Sequence, residues 1–217
     1  MLDPTPNAAR SAYLTAAASA AALLADPAVA TAWDKASALA EFKVGGLAGH
    51  LAYQVLSVPT TLANPPDGGE LIPLLGHYAR GAWLDAEIDD DVMVGIRDTG
   101  YRIAADGPEA LARTIADTVT ALRTTLAEEP ADRVVALGRA PWSLTFDDFL
   151  MTRTMELAVH SDDLAVSVGV DTPPLPREVT DPVLDLLARL SVKRHGPVAL
   201  IRAFSRAERA PRSVAAF

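Results

Sequence analysis

The sequence predicts a mainly α protein, a helix bundle with little strand. Two observations predict this fold. Apolar residues recur with a helical period through several long segments, and segments that alternate with a strand period are few and short. A third explains how the fold is held: the 217 residues include no Cys, so a packed core carries the stability without covalent staples. A chain of this length buries roughly 70% of its extended surface on folding, which suffices.

The first segment, about Asn7 to Leu24, puts Tyr13, Ala16, Ala17, Ala20, Leu23 and Leu24 on one face. Pro27 interrupts it, and a short helix follows through Ala32 and Trp33. From Lys43 to Leu62 the stripe is Val44, Leu47, Ala48, Leu51, Val55, Val58 and Leu62, with Pro59 in the last turn. Asn64-Pro65-Pro66-Asp67-Gly68-Gly69 is a loop. Leu71, Leu74, Leu75, Tyr78 and Ala82 mark a third helix. Asp89-Asp90-Asp91 begins another, since carboxylates favour a helix N-terminus; that reading is preferred to metal binding. Pro108 opens a long helix with the stripe Leu111, Ile115, Val119, Leu122 and Leu126.

Arg133 to Leu137 reads as a short strand with Trp142 to Leu144 as its partner. Thr145 and Asp148 form a capping pair for a helix that runs to Val168 and stops at Gly169. Pro173-Pro174 and Pro176 make a linker. It separates a bundle over residues 1–170 from a short C-terminal extension, 171–217, packed on it. That extension holds helices near Val183 to Arg194 and Val198 to Arg206, and Ser213 to Phe217 is a candidate terminal strand.

The net charge of −9 argues against a nucleic-acid partner and against docking on anionic lipid. The absence of Cys excludes a thiolate metal site and a cysteine nucleophile, so thiol chemistry requires a thiol from outside. No run of 18 apolar residues occurs, and no basic region precedes the first apolar stretch, which leaves the cytoplasm as the expected location.

The helix from Phe146 to Val168 carries the chemistry. Phe146, Phe149, Leu150, Leu157, Leu164 and Val168 form its core face, and Arg153, Glu156, His160 and Asp163 share one flank of that face. Ionisable groups beside a core are either solvated, paired or metal-bound. Glu156 and His160, at i and i+4, can offer a carboxylate oxygen and an imidazole nitrogen to one cation. A catalytic zinc takes three protein ligands, and His50, bordering the core on its own helix beside Leu47 and Gln54, is the best third candidate. Zn²⁺ suits such a set, with Ni²⁺, Fe²⁺ or Mn²⁺ behind it. A plain surface pair between Glu156 and His160, or a salt bridge of Arg153 with Glu156, accounts for the same spacing. His77 reads as a partly buried core histidine, and His195 as a helix-end imidazole. Gly45-Gly46 and Gly49 lack the context of a phosphate loop and instead suit close helix contact.

Arg153-Thr154-Met155-Glu156-Leu157-Ala158-Val159-His160-Ser161-Asp162-Asp163-Leu164 resembles the Arg-x-x-Glu-x-x-x-His-x-x-Asp-Leu signature of mycothiol-dependent maleylpyruvate isomerase-like proteins, within the DinB/YfiT-like metal-binding bundles. Val44 to Ala52, around His50, is similar to that family's first-ligand helix, and Arg209-Ala210-Pro211-Arg212-Ser213-Val214 to a common ending. The resemblance implies a DinB-like four-helix bundle of up-down-down-up order, with short β and C-terminal helical additions. It implies His50, Glu156 and His160 as metal ligands, and Zn²⁺ (or another divalent first-row metal) with mycothiol as thiol cosubstrate. Ser161-Asp162 departs from the pattern, and the segment after Gly169 is short beside the C-terminal domain of the isomerase itself.

The expected chemistry is thiol S-transfer to, or thiol-assisted isomerisation of, a small electrophile. Asp163 is expected to orient a ligand or accept a proton, and Arg153 to balance Glu156 or hold a substrate carboxylate. Tyr53 and Gln54, near His50, are expected to line the pocket. The oligomeric state is left as monomer or homodimer. The alternative is a non-catalytic metal- or ligand-binding bundle.

Overall fold

The computed structural model describes residues 6–64, 68–81, 87–130, 132–138 and 140–217. Ala82 and the loop residues Pro65 to Asp67 lie outside them. Four long helices build the bundle: α1 (Pro6–Leu24), α3 (Val44–Ala63), α6 (Pro108–Glu128) and α7 (Phe146–Val168). Shorter helices join them: α2 (Pro27–Ala32), α4 (Leu74–Arg80) and α5 (Asp91–Ile103). The chain ends with α8 (Arg177–His195) and α9 (Pro197–Ser205).

Cross-contacts fix the direction of each long helix. Arg10, early in α1, bonds the carbonyls of Leu126, Glu129 and Pro130 at the end of α6 and reaches Asp147 at the start of α7. Arg133, just beyond α6, donates to the carbonyl of Leu62 at the end of α3. The base of the bundle therefore gathers the starts of α1 and α7 and the ends of α3 and α6, which is the up-down-down-up order. Every stripe residue predicted for α1 and α6 is buried, as are those of α3 and α7 apart from the half-buried Leu62 and Val168.

The N-terminus of α7 is set locally. Thr145 Oγ1 accepts from the Asp148 amide at 3.1 Å, and Gly169 takes φ 74° to end the helix. The strands β2 (Val134–Ala136) and β3 (Trp142–Thr145) pair antiparallel. The sheet has a third member the sequence did not announce, β1 (Glu70–Leu71), parallel to β3. Leu71 thus belongs to a strand and not to the third helix. Pro73 explains the boundary, since it disfavours helical backbone at the residue before it and itself caps α4 in extended conformation. The expected terminal strand over Ser213 to Phe217 does not form. Its carbonyls meet side chains of α8 instead: Ser191 Oγ donates to Val214 O, and His195 Nε2 bonds Ala215 O.

Three glycines of α3 set its distance from neighbours. A Cβ on Gly45 would strike the Trp33 ring at 2.8 Å, and one on Gly46 the Tyr101 ring at 2.7 Å. A Cβ on Gly49 would overlap the carbonyl of Gly100, so α3 and α5 cross backbone to backbone. Among the described residues no helix is long and apolar enough to cross a membrane.

Candidate metal centre

α3 and α7 run antiparallel and side by side, so residues ascending along one meet residues descending along the other: His50 meets His160, and Gln54 meets Arg153. Nε2 of His50 lies 3.1 Å from Nε2 of His160. Nε2 of His160 lies 3.0 Å from Glu156 Oε2, and His50 Nε2 is 3.9 Å from that oxygen. Ligand atoms of the three residues lie within 4.8 Å of one another, a spacing that can hold a metal ion. The side chains of His50 and His160 keep 14% exposure and that of Glu156 21%, so the cluster is reachable from outside.

The surrounding groups prepare it. His160 Nδ1 and Asp163 Oδ2 are 2.9 Å apart, a carboxylate on the far side of a ring whose Nε2 faces the other donors. Burial opposes charge on His160, but the bonds to Asp163 and Glu156 and the charges of both carboxylates win, raising its pKa to about 9. Burial likewise opposes ionisation of Glu156, yet the bond from His160 and the charges of His160, Arg153 and His50 bring it down to about 2. His50 falls to about 4, through burial first and then the neighbouring His160 charge. Without metal, then, one proton on His160 Nε2 lies between a carboxylate oxygen and a neutral imidazole. A proton in that place marks a point where three donors converge on positive charge, and two imidazoles with one carboxylate match the donor preference of Zn²⁺ and its first-row neighbours. The residues fit the group the resemblance implies.

Arg153 makes no ion pair with Glu156. Its NH1 donates to Gln54 Oε1 at 2.6 Å, its Nε to Thr152 Oγ1 at 3.0 Å, and its guanidinium lies 5.6 Å from the Phe149 ring centroid. Gln54 is buried and held at both ends, because its Nε2 also donates to the carbonyl of His50 at 3.0 Å. Tyr53 is 39% exposed. The sequence reading missed Thr152 and Phe149 as supports of Arg153, and also Phe42, whose ring lies 5.9 Å from that of His50 and stacks on Tyr101. Only the apolar stripe signalled Phe149; nothing in the spacing of Phe42 or Thr152 does. His77 is a buried histidine: the Trp142 indole donates to its Nδ1 at 3.1 Å, and burial, then Arg153, lowers its pKa to about 4.

A four-helix bundle with a His/Glu/His donor set between two antiparallel helices is the arrangement of a DinB-like metal-binding protein. The chain belongs to the family of the mycothiol maleylpyruvate isomerase N-terminal domain, whose model matches residues 13–165 and so spans His50, Arg153, Glu156, His160 and Asp163. No curated protein and no solved structure matches it.

Proposed function

We propose that the protein is a metal-dependent enzyme that activates a low-molecular-weight thiol, mycothiol, for S-transfer or thiol-assisted isomerisation of a small electrophile. The observation that supports this best is the convergence of His50, Glu156 and His160 on one point, with Asp163 behind His160. In this reading those three residues are the metal ligands, Zn²⁺ being the first choice. Bound there, the ion would supply a Lewis acid that lowers the pKa of a thiol sulfur.

The chain's own residues position and balance. Asp163, hydrogen-bonded to His160 Nδ1, keeps Nε2 aimed at the other donors. Arg153, tied to Gln54 and Thr152, holds a positive charge beside the cluster for a substrate carboxylate. Gln54 acts through Arg153, and exposed Tyr53, one turn beyond His50, contacts the body of the thiol. The sulfur nucleophile comes from the cosubstrate, because the chain has no Cys. In isomerisation the thiolate would add to a conjugated double bond, permit rotation and depart with its bond electrons. In transfer it would bond to the electrophilic carbon and stay there, while that carbon's leaving group departs with the bonding pair or, at a double bond, the adduct takes up the proton the thiol lost. A reducing cytoplasm, which keeps such a thiol reduced, is the location we assign.

Metal analysis tests the ligands. We expect about one ion per chain in untreated protein, and about a tenth of that or less in His160→Ala. Equal content in both ends the assignment. Product formation from maleylpyruvate or a reactive electrophile should need mycothiol, and turnover unchanged without thiol removes the mechanism. Bound metal with no thiol-dependent turnover would favour the non-catalytic bundle.

A further inference from the structure

The charge of the molecule is unevenly divided. Residues 192–217 hold six basic residues (Lys193, Arg194, Arg202, Arg206, Arg209 and Arg212) against one acid, Glu208, for a net charge of +5. The rest of the chain carries −14. All six basic side chains are exposed.

The same stretch contains α9, which shows its apolar side outward. Leu200 is buried, but Val198, Ile201 and Phe204 are 55%, 64% and 75% exposed. Their spacing, i, i+3 and i+6, makes one ridge, with Arg202 and Arg206 beside it. Large apolar groups on a ridge of this kind mark an interaction face.

A helix of nine residues is about 13 Å long. Its outer face alone falls short of the roughly 800 Å² that each partner buries in a stable complex. Whatever covers it must therefore make a second contact as well. The start of α5 offers chemistry that complements it. There Ile88 and Val92 are 39% and 37% exposed among the exposed carboxylates of Glu87, Asp89, Asp90 and Asp91. The two patches lie on different elements, so one copy can offer α9 to the other's acidic patch and receive α9 on its own. A two-fold axis would then make each contact twice and double the buried area.

We propose that a second copy of this chain covers α9, the ridge of Val198, Ile201 and Phe204 docking on the acidic, apolar patch at Ile88 and Val92 of the other copy, and the reverse. An anionic lipid surface would attract the same arginines but repel the −14 remainder, whereas a second copy uses that charge as the counterpart. This goes beyond the proposed reaction and does not depend on it.

Sedimentation equilibrium of the full chain at roughly 1 to 200 µM tests it. We expect a dimer that weakens about tenfold or more with Phe204→Asp, and that weakens as salt rises from about 50 to 500 mM. Asp89→Arg and Arg202→Glu should each weaken it, and their combination should restore it. Ile201→Asp on the same ridge repeats the first test should Phe204→Asp lose helicity. A monomer throughout the range, or a dimer indifferent to these changes, overturns the proposal. So does a monomer that binds phosphatidylglycerol vesicles and is released from them by Phe204→Asp, since the face would then belong to lipid.

Discussion

Arg10 at the base of the bundle and Arg153 at its centre both enter the interior, and they are satisfied in opposite ways. Arg10 bonds three backbone carbonyls, Leu126 at 2.9 Å, Glu129 at 2.7 Å and Pro130 at 2.9 Å, and reaches Asp147 at 3.5 Å. Those carbonyls lie in the last turn of α6 and just past its end, so the guanidinium ties off one helix while it joins two others. Arg153 bonds side chains only, Gln54 and Thr152, which can turn without the backbone moving. Its charge acts on its neighbours, lowering His50 and helping to hold Glu156 ionised. An arginine held by carbonyls closes a fold, and one held by side chains leaves its field available to a site.

The sharpest way to break this contrast is Arg10→Ala. It strips three carbonyls of a charged donor and leaves Asp147, whose pKa burial already raises, without its partner. We expect a loss of about 2–4 kcal/mol in urea unfolding, with metal content unchanged. A change under about 1 kcal/mol would show that water replaces the clamp without loss.

The difference between base and centre also governs how much could be read from the sequence. The four long helices were legible, because each buries a stripe with a 3.6-residue period; Leu111 to Leu126 and Tyr13 to Leu24 fall where the period puts them. The flank Arg153, Glu156, His160 and Asp163 was legible for the same reason, since one helix fixes its spacing. That His50 meets it depends on an antiparallel register between helices about a hundred residues apart, which no local period encodes; its place beside the core of its own helix made it the best candidate, and the family resemblance implied the pairing. Arg10 was invisible, because a lone arginine in an Ala-rich helix has no pattern to mark its carbonyl partners. Glu70–Leu71 was missed because two residues are too few to show alternation. The strand expected at the C-terminus failed because side chains of Ser191 and His195 took its carbonyls.

At the centre, Asp163→Asn sharpens the contrast. The amide keeps the shape but removes the carboxylate that faces His160 Nδ1. Metal affinity, measured by competition with a chelator, should fall roughly 10- to 100-fold, and stability should fall by less than with Arg10→Ala. Equal affinity in both proteins would mean that Asp163 does not orient the ring.

The smallest effect expected is a count of protons. Between about pH 4, where His50 titrates, and about pH 9, where His160 does, the metal-free cluster holds one proton, on His160. A metal needs that nitrogen lone pair, so uptake at pH 7 should release about one proton per ion, falling toward zero above pH 9. Calorimetry in buffers of different ionisation enthalpy reads the number directly. The same shift has a stability sign. His160 is raised from 6.5, so its contribution to the metal-free fold is complete below pH 6.5 and is lost as pH rises through about 9. His77 runs the other way: lowered from 6.5 to about 4, it contributes fully above pH 6.5 and loses that contribution as pH falls toward 4, when the bond from Trp142 must break. Metal should erase the alkaline loss and leave the contribution of His77 as it is, because His160 is a proposed ligand and His77 is not. Identical alkaline unfolding with and without metal would place the ion somewhere other than between α3 and α7.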